Sequence, residues 1–230
     1  DVTYVLHPGV AYVVNHVDYN IQDAAIDSVL RKGRVLGTGA LKAGEQFNVS
    51  NLDGERKRIT EYLANRGYYR FNKDYITFRA DTVAGMSKVD LTLVLHPFPV
   101  SRDSIGAHPV YTVRNVNYKS GDPEDDRIPF RTSVLRSNTF ITSGQPYSAK
   151  DLQTTYNRFG RLQAIKYTNI SFVEDEAAKK LDCNIQLTAN KPHSISFQPE
   201  GTNTAGDLGA AASLTYQHRN VFRGSELLSL

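Results

Sequence analysis

The sequence predicts an α+β chain in which two copies of a small module, each ordered strand, helix, helix, strand, strand, are followed by the opening strands of a membrane β-barrel. Three observations carry that prediction. A strand motif recurs after about 90 residues, an interval that holds a small core of its own. Within each interval the apolar spacing passes from alternation to helical spacing and back. Last, residues 208–219 alternate throughout, with Leu208, Ala210, Ala212, Leu214 and Tyr216 on one face and Gly209, Ala211, Ser213, Thr215, Gln217 and Arg219 on the other. A spanning strand needs about 9 to 11 residues, lipid on one side and a watery lumen on the other, and this stretch suits that requirement.

The composition excludes several classes. With 230 residues, 40% hydrophobic and 22% charged, the chain has material for two ordinary cores and is not disordered throughout. Lys and Arg number 27 against 24 Asp and Glu, a net charge of +3 with no basic run, so no nucleic-acid partner is expected. The one cysteine, Cys183, shares parity with Leu181, Ile185 and Leu187, so it is expected to pack in a core as a small apolar residue. No stretch approaches the roughly 18 apolar residues of a membrane helix, and the first residues lack the pattern of a signal peptide.

Taken in order, residues 1–8, DVTYVLHP, match residues 90–97, DLTLVLHP, at Asp, Thr, Val, Leu, His and Pro. They read as the last strand of a preceding module. A weaker third copy is LDCNIQLT at 181–188. The module starts match as well: AYVVNHVDY at 11–19 aligns with VYTVRNVNY at 110–118, each opening a unit with a strand. A first helix follows at 23–32, with Ala24, Ile26, Val29 and Leu30 on its apolar side; its counterpart near 132–140 has a weaker stripe.

The turns GEQFN at 44–48 and GQPYS at 144–148 share a glycine, two residues, an aromatic and a small polar residue, and each introduces a second helix. Ser148 can accept from the free amides of the first turn, and Asp151 stands where a capping box places its acid. Leu152, Tyr156, Phe159 and Leu162 then form a stripe, as Leu52, Ile59 and Leu63 do in the first module. Glu55, Arg56, Lys57 and Arg58 are expected to face mostly outward, and Gly67 to close the helix.

Each module ends in two alternating strands, 75–81 and 88–96 in the first, 167–174 and 180–189 in the second. Their single-sided alternation puts both helices on one face of a three-stranded sheet. The modules so read span 9–98 and 109–191. Between them FPVSRDSIGAHP at 98–109, with two prolines and a glycine, reads as an extended or turning connector. Lys191-Pro192 sets off 193–230, where SISFQPEG at 194–201 alternates Ile195 and Phe197 against Ser196 and Gln198 and forms a hairpin with the strand after Gly206. Residues 220–224 break that strand, and 225–230 begin another apolar run, so the sequence reads as stopping inside something larger.

No catalytic constellation emerges. His7, His16, His96, His108, His193 and His218 lack metal-ligand spacing, and the acidic loop of Asp122, Glu124, Asp125 and Asp126 lacks the glycine and distal glutamate of a calcium loop. GRVLGTG at 33–39 has no Lys-Ser or Lys-Thr after its last glycine, and no Gly-X-Ser-X-Gly elbow is present. No enzyme, metal or cofactor is expected. Tyr12, Tyr19, Tyr111 and Tyr118 hold matching positions in the first strands and suit packing and binding equally.

On these residues the chain resembles the outer-membrane protein assembly superfamily that includes BamA and TamA, whose members join POTRA modules to a carboxy-terminal barrel. The resemblance covers both modules, residues 1–8 and the final hairpin. It is most specific in DLGAAASLTYQHRNVFRGSE at 207–226, where a Gly-containing alternating strand ends in Arg-Asn-X-Phe-Arg-Gly. It implies that Leu208, Leu214, Tyr216, Arg219, Asn220, Phe222, Arg223 and Gly224 begin the barrel. It further implies a periplasmic region that receives unfolded outer-membrane proteins by strand addition and passes them to the barrel, with accessory envelope lipoproteins as partners and outer-membrane lipid met through the full barrel. The second strand of each family module is an edge, which places clients at Tyr75, Thr77 and Arg79 and at Thr168, Asn169 and Ser171. The alternatives are a two-partner secretion transporter of the same architecture and a soluble POTRA-like scaffold for envelope proteins. Residues 193–230 cannot close a barrel alone and are expected to lie against a module edge or to pair with another copy.

Overall fold

The computed structural model describes residues 9–102, 104–204 and 207–230, and the strand expected at 1–8 lies outside them. Two compact units divide the chain, residues 1–111 and 112–230.

The first unit runs β1 (Val13–Ile21), α1 (Ala24–Lys32), α2 (Val49–Ala64), β2 (Ile76–Thr82), β3 (Lys88–Leu95). The sheet order is β1-β3-β2, with β3 parallel to β1 and antiparallel to β2. Local chemistry starts both helices. Asp23 accepts from the amides of Ala25 and Ile26 at 2.9 and 3.2 Å, and Asn48 accepts from that of Asn51 at 2.8 Å, each satisfying donors that the first turn leaves free. The helices bury Ile26, Leu30, Ile59 and Leu63 against Ile76, Leu93 and Leu95 of the sheet. Each such side chain contributes about 1.5–3 kcal/mol.

The second unit begins with the same plan: β6 (Thr112–Ser120), α3 (Thr132–Ser137), α4 (Ala149–Phe159), β7 (Ile165–Asp175), β8 (Lys180–Ala189), in sheet order β6-β8-β7. The registers correspond residue by residue. Val13 faces Lys88 and Thr112 faces Lys180, and both first strands then bulge, at Asn15 and Arg114. The weak third copy at 181–188 therefore lies on a central strand. Cys183 is buried there among Val113, Phe159 and Ile185, and burial pushes its thiol up to about 12. The stripe near 132–140 is weak because α3 is only 6 residues long and has no side-chain cap.

One expectation is sharpened and one corrected. Residues 98–109, expected as an extended or turning connector, carry a small hairpin of β4 (Phe98–Ser101) and β5 (Ser104–Gly106) within the first unit. The His108 amide after it donates to Asp23 at 2.7 Å, so the carboxylate that starts α1 also holds this segment. Glu55 does not face outward; it is 2% exposed. The loop that follows α1 crosses α2 at this point, and a Cβ on Gly39 would collide with the Glu55 carboxylate.

The chain ends in a separate antiparallel sheet of β9 (His193–Thr204), β10 (Asp207–Arg219) and β11 (Leu227–Ser229), with β10 central.

Candidate functional site

Each module's sheet has two edges, and the repeated turns cover the start of one of them. In the first unit Val14 donates to Glu45 O at 2.8 Å, Gly44 to Val14 O at 2.8 Å and Phe47 to Tyr12 O at 2.8 Å. In the second, Val113 donates to Gln145 O at 2.9 Å and Gly144 to Val113 O at 2.7 Å. Gly44 and Gly144 have φ of 88° and 82°, the left-handed region that favours glycine. The Gly-X-X-aromatic turns thus introduce a helix and also shield the start of β1 and β6. Shielded backbone resists pairing with other chains, and the outer strands on the opposite side of each sheet are β2 and β7.

On β2 the hydrogen-bond parity is fixed from both ends. His96 donates to Tyr75 O at 2.8 Å, and Val83 donates to Lys88 O at 2.9 Å. The register between them is unbroken, so odd-numbered residues bond inward to β3 and Ile76, Phe78, Ala80 and Thr82 turn their N–H and C=O to the free edge. Thr77 and Arg79 carry exposed side chains on the open face, where Thr77 Oγ1 meets His96 Nε2 at 2.8 Å. Tyr75 is not on the strand. It closes a 3-10 turn, Lys73–Tyr75, that Asn72 caps, and its ring packs on His108 with centroids 4.5 Å apart.

On β7 the residues equivalent to Ile76, Thr77, Phe78 and Arg79 are Thr168, Asn169, Ile170 and Ser171, because Thr168 faces Leu187 as Ile76 faces Leu95. Asn169 and Ser171 lie exposed on the open face, and Thr168 is half-buried at the edge. Here the edge is occupied: the Ile170 amide donates to the Tyr156 hydroxyl at 2.8 Å, and that hydroxyl donates to Ile170 O at 3.2 Å. Periodicity places Tyr156 in the helical stripe and gives no sign of this contact.

The barrel-start residues come together in the terminal sheet. Pairing sets Ile195 opposite Tyr216, Phe197 opposite Leu214 and Pro199 opposite Ala212, while Ser196 faces Thr215 and Gln198 faces Ser213 on the other side. Ile195, Phe197 and Leu214 are 72%, 64% and 69% exposed. β11 extends the same face, with Leu228 opposite His218 and Leu230 bonded to Tyr216 at 2.9 and 3.0 Å. The band ends in a polar cluster where His193 Nδ1 meets the Tyr216 hydroxyl at 2.7 Å and the rings of His193 and His218 pack edge to face. Leu208 lies on β10, its side chain outside the described ones.

Arg219 closes β10, and a tight turn follows in which Asn220, Arg223 and Ser225 have positive φ. Such backbone is held where surroundings over-determine it. Glu226 accepts from the amides of Phe222 at 3.2 Å and Gly224 at 3.1 Å, and its own amide and these two hold its carboxyl below the usual range. A side chain on Gly224 would collide with that carboxylate. The turn docks on the second module: Asn220 donates to Pro129 O at 2.8 Å, Arg223 to Ile128 O at 3.0 Å, and the Ala164 amide to Ser225 Oγ at 3.0 Å. Residues 193–230, expected against a module edge or paired with another copy, meet the second module through this turn, at residues 128–131 and Ala164.

No family model and no curated protein matches the chain. Among solved structures it is similar to BamA from Haemophilus ducreyi lacking POTRA domains 1–3, with a TM-score of 0.66 and 17% identity over 95% of this chain and 36% of that one. It is also similar to POTRA domains 3–5 of Haemophilus influenzae BamA, at 0.48 and 16% over 77% and 61%, and to CdiB from Acinetobacter baumannii, at 0.47 and 10% over 98% and 38%. The first of these likenesses shows the fold. The chain is built as α+β POTRA modules running into strands of the BamA kind, and it spans 36% of the Haemophilus ducreyi chain.

Proposed function

We propose that this chain is the POTRA region and first barrel strands of an outer-membrane assembly or secretion factor, its modules in the periplasm and its last three strands in the outer membrane. The observation that carries this reading is the terminal sheet: a broad apolar face, exposed in water, lies opposite a face of serine, threonine and glutamine on the same strands. That division is the one a lipid-facing barrel wall requires. The modules supply the soluble half of the task. An unfolded client in extended form adds to a free sheet edge, where main-chain bonds give affinity with little demand on sequence, and is passed from there to the barrel.

The test is fractionation of the native cells with an antibody to this chain, comparing boiled and unboiled samples. The expected result is an outer-membrane species well above 25.6 kDa that changes mobility on boiling. A soluble band that does not shift would overturn the membrane assignment and favour a periplasmic scaffold.

The edge itself has a sharp probe. The Ala80 amide turns away from β3, so Ala80→Pro removes no ladder bond while its ring obstructs the outer side. Its stability is expected to stay within about 1 kcal/mol of the parent. Amide shifts along Ile76–Thr82 caused by an extended peptide are expected to disappear. Unchanged shifts in the proline variant would place client binding elsewhere.

A further inference from the structure

The outer edges of β2 and β7 differ in whether a side chain bonds their outward main-chain groups. Asn48 and Ser148 cap α2 and α4 in the same way, so the helices align and Tyr156 stands where the first module has Arg56. Arg56 bonds Asp53 at 3.1 Å and lies over the Phe78 ring, 5.4 Å from its centroid. It leaves the Phe78 backbone alone, and among the described residues nothing bonds the outward N–H and C=O of Phe78. Tyr156 instead reaches the backbone of Ile170, the residue equivalent to Phe78. Its hydroxyl oxygen accepts from the Ile170 N–H while its proton goes to the Ile170 C=O. An incoming antiparallel strand makes the same two bonds, one accepted and one donated, to a single edge residue.

We propose that Tyr156 is a specificity-determining residue that closes the β7 edge, so that β2 is the edge on which this chain accepts an extended client segment. This rests on the strand-addition reading above. At β7 an approaching strand must displace the hydroxyl from both main-chain groups and turn aside a ring that is packed on the core of the second module. At β2 no protein bond is broken. The closed edge is also protected from pairing with another copy, the usual hazard of an uncovered strand.

The experiment uses the whole chain labelled with nitrogen-15 and, as probe, a lysine-flanked peptide alternating valine and threonine over about ten residues, the length of a membrane strand. In the parent, amides of Ile76, Phe78, Ala80 and Thr82 are expected to shift at peptide concentrations about tenfold below those that move Thr168, Ile170 and Phe172. Tyr156→Phe keeps the ring and removes the hydroxyl, and is expected to bring the β7 amides into the β2 range. Arg56→Tyr is expected to weaken the β2 response. Equal responses of both edges in the parent, or a β7 edge still silent in Tyr156→Phe, would overturn the role of Tyr156 and leave strand addition standing. Shifts at neither edge in any of the chains would overturn strand addition itself, and this proposal with it.

Discussion

Phe197→Lys combined with Leu214→Lys is expected to abolish the association of this chain with detergent micelles and lipid vesicles. The two side chains face each other across β9 and β10 on the exposed apolar face. A lysine on the lipid side of a barrel costs about 2–4 kcal/mol near the midplane, and two like charges set directly opposite add to that. The loss of apolar contact contributes about 1.5–3 kcal/mol for each residue removed. Gln198→Lys with Ser213→Lys supplies the control, because that pair is also directly opposed but on the polar face. Vesicle flotation is expected to retain the control and lose the first pair. Equal flotation of both would mean that the apolar face does not meet lipid.

That experiment depends on parity, and parity is what this sequence displays most openly. In β10 every second residue is apolar or alanine as far as Tyr216, so the two faces are legible before any partner strand is known. The repeat served the modules equally well, since the copies at 90–97 and 181–188 fall largely on the two central strands. What stayed hidden depended on a third element. Tyr75 continues the alternation of β2, but the Asn72 cap folds it into a turn. The 98–109 stretch has the prolines and glycine of a connector, and its strands of 4 and 3 residues are too short to show a period. The turns at 44–47 and 144–147 announce their helices by N-cap chemistry, while their pairing with β1 and β6 involves too few residues for a pattern. Tyr156 fits the helical stripe because its ring does pack inward; only its hydroxyl reaches the strand edge.

Glu55 is the strongest case of this kind, and its replacement carries the other large expected effect. With Arg58 three residues on, it looks like a solvated pair on a helix surface, worth about 0.2–0.5 kcal/mol. The loop after α1 changes that by covering it. Arg58 donates to both carboxylate oxygens at 2.6 and 2.8 Å, and also to Val35 O at 2.7 Å and Thr38 Oγ1 at 3.3 Å. The guanidinium thus fastens the loop to α2, and Glu55 fixes the guanidinium. Glu55→Ala leaves Arg58 without its counter-charge beneath the loop and is expected to cost about 2–4 kcal/mol. Removing both partners in Glu55→Ala with Arg58→Ala is expected to cost less than the sum of the single changes, with a coupling above about 1 kcal/mol. Urea unfolding followed through the amide signals of Ile59 and Leu63 reads the first module apart from the second. A Glu55→Ala chain within about 0.5 kcal/mol of the parent would show that the pair behaves as the exposed one its spacing suggests.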